Sequence, residues 1–195
     1  MRRALLAAGA LLLMAAADDP QAQAQAQTLR QPGAARYFGG LVLRDQSGQN
    51  VDLFADLMDG HVVVINAFYA GCRAACPDVM GKLSHLQAQL VVDGLEANFV
   101  SITVDPEHDT PERLNLYARA LGAAADWHIL SGDPATVRQA LHRFGLDANP
   151  DDPGDHLNIL YIANLRTGLW KRVFSLAPLA DLETLVQQVE DDRAP

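Results

Sequence analysis

Apolar positions change their spacing from one segment of the chain to the next, and each spacing predicts an element. Val62-Val63-Val64-Ile65-Asn66-Ala67-Phe68 is a nearly continuous β-branched run, the pattern of a strand covered on both faces. Ala97 to Val104 is a second such run, and Trp127 to Leu130 a shorter third. Between and after them, apolar residues recur every three or four positions. Val79, Leu83, Leu86 and Leu90 form one set, Leu114, Tyr117 and Leu121 another, Val137, Leu141 and Phe144 a third. Each set marks one face of a helix. The boundary residues agree. Pro77 suits a first helical position, and Thr110-Pro111 and Asp133-Pro134 each join a capping side chain to a proline. Asp93-Gly94 closes the first of these helices.

The flanks read as hairpins and loops. Tyr37 to Leu43 and Asn50 to Leu53 predict a small hairpin with its turn at Ser47-Gly48. Asn149 to Gly154 is a loop by composition. Leu157 to Ala163 and Leu169 to Leu176 predict strands around Thr167-Gly168, and Pro178 begins a last helix with Leu182, Leu185 and Val189 inward. Strands alternating with helices imply an α/β fold with a mainly parallel sheet covered on both faces. The closing hairpin adds antiparallel strands. There is no internal repeat and no sign of a second domain.

The N-terminus has a different character. Arg2 and Arg3 precede fourteen residues, Ala4 to Ala17, without a polar side chain, ending in Ala15-Ala16-Ala17. This reads as a secretory signal peptide, with retention as a short anchor the alternative. A spanning helix usually needs ~20 apolar residues. Residues 21–27 alternate Gln and Ala, so residues 1–26 read as signal and spacer, 27–36 as a linker, and 37–191 as the folded domain. Export implies the periplasm, with a membrane tether if the run is retained.

Composition then narrows the partners. Of 195 residues, 15 are Lys or Arg and 24 Asp or Glu, a net charge of −9. An acidic chain without a basic cluster is a poor match for nucleic acid or anionic lipid. Only two cysteines exist, too few for a disulfide scaffold.

Those cysteines carry the candidate chemistry. The segment Tyr69-Ala70-Gly71-Cys72-Arg73-Ala74-Ala75-Cys76-Pro77 lies between a buried strand and a helix N-terminus. Backbone N–H groups and the helix dipole stabilise thiolates at such a place, and Arg73 adds to this. A strand, a cysteine pair, a helix and later a hairpin with a helix make the thioredoxin-like arrangement: a central mixed sheet flanked by helices, here with an N-terminal β-hairpin. The CxxxC spacing allows a disulfide and equally allows both sulfurs to grip one metal ion. A purely structural bridge would gain little by closing so short a step. Structural zinc needs four protein ligands, whereas Cu(I) accepts few and favours sulfur. Of six histidines, His61, His85, His128 and His142 fall on predicted elements, where packing or surface position accounts for them. His108 lies in an acidic loop. His156 stands where a thioredoxin-like sheet would bring it opposite the cysteines.

Three stretches together resemble the Sco/SenC family of thioredoxin-like copper proteins. They are Cys72-x-x-x-Cys76-Pro77, then Val104-Asp105-Pro106-Glu107-His108-Asp109-Thr110-Pro111, then Asp155-His156 with Tyr161. The resemblance covers roughly residues 37–190. It implies that Cys72, Cys76 and His156 bind one copper ion, Cu(I) or Cu(II). Delivery of copper to the copper-A site of cytochrome c oxidase, or reduction of that site's cysteines, would be the function. The copper-A subunit and a copper or electron donor would be the partners. Asp105, Asp109 and Asp155 would support the ligands or face the partner; turn formation is the alternative for Asp105 and Asp109. The chain departs from the family where Arg73-Ala74-Ala75 replaces the usual proline and acidic residue. A cation beside the sulfurs disfavours a bound metal cation and favours free thiolate.

That departure keeps other readings open. Cys72 and Cys76 could be the attacking and resolving thiols of a thiol-disulfide oxidoreductase. One sulfur could serve a peroxidase. A binding module with a structural disulfide would leave His156 and the acidic loop without explanation.

Overall fold

A computed structural model of the chain describes residues 32–73, 76–149, 152–156 and 158–193. The predicted signal segment and spacer lie outside them.

The sheet is built around β3 (Val62–Phe68), every residue of which is buried. β4 (Asn98–Thr103) and β5 (Trp127–Leu130) extend it on one side, and β8 (Ile159–Asn164) and β9 (Leu169–Phe174) on the other, in the order β5-β4-β3-β8-β9. β3, β4 and β5 are parallel, while β8 runs antiparallel to β3 and β9 antiparallel to β8. Alternate β3 side chains serve two separate cores, as the strand period of two requires. Val63, Ile65 and Ala67 join α1 (Pro32–Phe38) and α4 (Pro134–Phe144) on one face. Val62, Val64 and Phe68 join α2 (Cys76–Asp93), α3 (Pro111–Leu121) and α5 (Leu179–Glu190) on the other. The mixed α/β sheet and its flanking helices are as the sequence predicts.

The helix signals hold. Val79, Leu83, Leu86 and Leu90 are buried along α2, and Val137, Leu141 and Phe144 along α4. Thr110 caps α3 by accepting from the Arg113 N–H, and Asp133 caps α4 by accepting from Ala135 and Thr136. These hydrogen bonds hold the Asp133 carboxyl below the usual carboxylate range, chiefly through the Thr136 N–H. On α5, Leu182, Val186 and Val189 are buried, and Leu185 packs only partly against them.

Several boundaries differ. Residues 32–38, read as linker and strand, form α1. Phe38 stacks on both Phe144 and Trp170, with ring centroids 4.6 and 5.6 Å away, which draws the segment onto the core. Gly40, at φ +73°, then releases the chain into the hairpin of β1 (Val42–Arg44) and β2 (Asn50–Asp52). The Asn149–Gly154 stretch is no simple loop: β6 (Ala148–Asn149) and β7 (Asp152–His156) pair antiparallel there. A two-stranded ribbon tolerates Pro153 because it lacks a central strand. The following strand is Ile159–Asn164, its predicted start at Leu157 lying outside the described residues, and β9 ends at Phe174 rather than Leu176.

Candidate metal centre

β3 brings the chain to one end of the sheet and α2 carries it away, with the cysteines between. Cys72 lies in the loop, half-buried, and its N–H donates to the Tyr69 carbonyl at 3.2 Å. Cys76 opens α2 and is buried. The two are joined as a disulfide, their Cα atoms 5.8 Å apart. At a helix start, unpaired N–H groups and the dipole favour negative charge, so the Cys76 sulfur is well placed to carry charge once the bond is open.

The loop is clamped from the 105–111 turn. The Ala70 N–H donates to Asp109 Oδ2 at 2.9 Å, and the Thr103 hydroxyl donates to the same oxygen at 2.6 Å. Arg113 Nε lies 3.5 Å from Asp109 Oδ1, and the carboxylate is fully buried. The Arg113 side chain also reaches the cysteine loop: a Cβ on Gly71 would come 3.2 Å from its Nη2. Two cations therefore lie at the cysteine loop, Arg73 within it and Arg113 of α3 beside Gly71. Tyr117 stacks on Phe68 at 5.5 Å. Burial, with the charge of Asp109 second, pushes its hydroxyl pKa up to about 12.

Below Cys76 a line of buried polar groups crosses the sheet. Trp127 Nε1 donates to Ser101 Oγ at 2.9 Å, and Ser101 donates to Asn66 Oδ1 at 2.7 Å. Asn66 Nδ2 in turn donates to Met80 Sδ at 3.4 Å, one turn along α2 from Cys76. Satisfied networks of this kind fix side chains rigidly.

On the other side of β3, Leu160 of β8 pairs with Asn66, so β8 begins beside the cysteine end of β3. Asn158, just before β8, lines a small cavity together with Cys76. The backbone of His156, two residues earlier, ends β7 opposite Ala148. The topology thus brings the His156 segment to the cysteine end of the sheet.

A model of the SCO1/SenC family matches residues 30–176. The chain belongs to that family. The SCO1 protein homolog of Bacillus subtilis (strain 168) is 29% identical over 90 residues, 46% of this chain and 46% of that protein. The chain thus matches about half the length of that relative. Among solved structures, ScoI of Bradyrhizobium japonicum with copper bound is 24% identical with a TM-score of 0.63, covering 78% of this chain and 99% of that one. BsSco, a member of the Sco family of cytochrome c oxidase assembly proteins in which a disulfide switch was identified, is 23% identical with a TM-score of 0.64. That match covers 78% of this chain and 92% of BsSco. The shared fold includes the central mixed sheet and flanking helices of these SCO1/SenC proteins.

Of the residues the sequence singles out in this SCO1/SenC chain, Cys72 and Cys76 are together. The side chains of Asp155 and His156 lie outside the described residues. Asp109 is buried, and by accepting from the Ala70 N–H it ties the acidic turn to the cysteine loop. Asp105 remains one-fifth exposed and pairs with His108 Nδ1 at 2.7 Å. That hydrogen bond, with the carboxylate charge behind it, raises the His108 pKa. Both line a cavity of about 340 Å³ that reaches Pro134 and Leu141 of α4 and Ala148 of β6. His128 is half-buried, and burial lowers its pKa. His142 pairs with Asp147 at 3.0 Å on the surface. Among the described residues no group of three or more His, Cys, Asp and Glu is arranged to hold a metal ion.

Sequence reasoning missed Arg113 and Thr103. Arg113 sits on the exposed side of an amphipathic helix, where an arginine carries no signal of its own. Thr103 looks like an ordinary strand residue.

Proposed function

We propose that this SCO1/SenC protein is an exported copper-binding assembly protein. Cys72, Cys76 and His156 hold one copper ion, Cu(I) or Cu(II). The protein delivers that copper to the copper-A site of cytochrome c oxidase, or keeps that site's cysteines reduced. One observation supports the reading: β8, which starts three residues after His156, begins beside the end of β3 that leads to the bonded Cys72 and Cys76. Two sulfurs close enough to bond can equally take one ion between them after reduction. Thiolate and imidazole suit copper, and Cu(I) favours sulfur. Copper is here cargo rather than a resident catalyst, and the oxidised pair cannot bind it as thiolates. Loading is therefore coupled to reduction of the disulfide, in keeping with the disulfide switch of BsSco. Asp105 and Asp155 support the site or meet the partner. The apolar N-terminal run supports export to the periplasm and, if retained, a membrane tether.

A second reading has its own observation. Arg73 and Arg113 both border the cysteine loop, and cations favour free thiolate over bound metal. This supports a thiol-disulfide oxidoreductase in which Cys72 attacks and Cys76 resolves.

Anaerobic copper titration of the reduced protein, beside His156→Ala, tests the first reading. One copper per chain is expected. The variant should lose more affinity than the roughly 10–100-fold that an outer partner of a ligand contributes. Unchanged stoichiometry and affinity in the variant would remove His156 from the site. Reactive thiols with no stable copper would move the function to disulfide exchange.

A further inference from the structure

Directly beneath Cys76 lies a cavity of about 10 Å³, bounded among others by Asn66, Met80, Asn158 and Ser175. It has room for one water at most. Cys76 and Ser175 both line it.

Ser175 is anomalous there. It is 2% exposed, and its Oγ has no hydrogen-bond partner among the described residues. Its backbone is fixed on both sides: the N–H donates to the Asn158 carbonyl at 2.9 Å, and its carbonyl accepts from Lys82 Nζ at 3.2 Å. Lys82 also binds the Ala177 carbonyl at 2.6 Å, which ties the turn after β9 to α2, the helix that Cys76 opens. Asn66 is already engaged, accepting from Ser101 and donating to Met80 and to the Ala67 carbonyl. A buried hydroxyl held by its backbone, with no acceptor among the described residues, is poised to take a partner in another state of the molecule.

We propose that this other state is the reduced one: Ser175 Oγ–H donates to Cys76 Sγ once the Cys72–Cys76 bond is open. Ser175 thereby acts as a positioning residue that sets how readily the pair is reduced. The inference rests on the reading of the pair as the working site. In the oxidised form the bond to Cys72 holds the sulfur away from the hydroxyl. Reduction breaks the S–S bond. Two electrons and two protons come from two molecules of a reducing thiol, which leave joined as their own disulfide. The released Cys76 thiol then turns about χ1 toward the hydroxyl and accepts its hydrogen bond on a sulfur lone pair.

The oxidised and reduced forms therefore respond differently to loss of the hydroxyl. The test equilibrates the metal-free full chain in glutathione buffers and counts free thiols by alkylation, in wild type, Ser175→Ala and Ser175→Thr. Ser175→Ala should shift the equilibrium toward the disulfide by about tenfold, which is about 30 mV for this two-electron couple. Ser175→Thr keeps the hydroxyl and should restore the wild-type value. Oxidised Ser175→Ala should melt close to oxidised wild type, because no described residue accepts from the hydroxyl in that form.

An unchanged equilibrium in Ser175→Ala would overturn the proposal. So would an equal loss of stability in both redox forms, or a Ser175→Thr variant that behaves like Ser175→Ala. Copper titration of wild type separates the two readings. A chain that binds no copper yet shows the Ser175 shift loses the copper function and keeps this inference; a chain that binds copper without the shift does the reverse.

Discussion

At the scale of single residues, the Asp109 carboxylate joins three pieces of chain. It accepts from Ala70 in the cysteine loop and from Thr103 at the end of β4, and it pairs with Arg113 in the first turn of α3. Asp109→Ala leaves the Ala70 N–H and the Thr103 hydroxyl without their acceptor and Arg113 without its counter-charge. Breaking a buried charged group away from its partners costs roughly 3–5 kcal/mol, and this variant should lose stability on that order. Asp109→Asn keeps one acceptor oxygen and should lose less. The midpoints of urea unfolding measure both. Asp109 was visible in the sequence as part of an acidic turn, but not its burial. An aspartate three residues after a proline can equally cap a turn in solvent.

At the scale of elements, α3 carries Arg113 to the site and is anchored by few apolar groups. Leu114 and Ala118 are its buried residues, with Tyr117 and Leu121 packed partly beside them. Leu114→Ala should therefore cost about 2–5 kcal/mol, as large-to-small changes in a core do. It should also loosen Arg113 from Gly71. Chemical unfolding reads the first effect, and faster alkylation of Cys72 in the reduced protein reads the second. The helices α2 to α5 were legible because a period of 3.6 repeats over several turns and the caps mark their starts. The short elements were not. α1 is held by Phe38 stacking on Phe144 and Trp170, residues more than a hundred positions away. β6 and β7 pair across a Pro- and Asp-rich stretch whose composition argues for a loop.

At the scale of the whole molecule, two hydrophobic cores clasp one sheet, and neither depends on the cysteine bridge. The bridge closes a sequence separation of only 4 residues. Chain entropy then gives it about 2 kcal/mol, far less than the ~4.7 kcal/mol of a 100-residue loop. Reduction should leave the far-ultraviolet circular dichroism unchanged and lower the melting temperature by no more than about 10 °C. Collapse of the fold on reduction would instead make the bridge structural and weaken any redox role. The larger cavity, lined by Asp105 and His108, lies between the acidic turn and α4. With a net charge of −9, the chain favours approach to a basic partner surface.

By itself the sequence determined the strand and helix order, the α/β class, the cysteine pair and the family resemblance. These are local or ordered signals: side-chain period, capping residues, and motifs in fixed succession. Tertiary structure alone decided that Asp109 is buried under the cysteine loop and that Arg113 borders it. It alone decided that Ser175, ninety-nine positions from Cys76, shares a cavity with it. Such contacts follow from strand order and from helices laid across the sheet, which bring distant segments together. No spacing along one chain encodes which of its polar groups will be left facing each other.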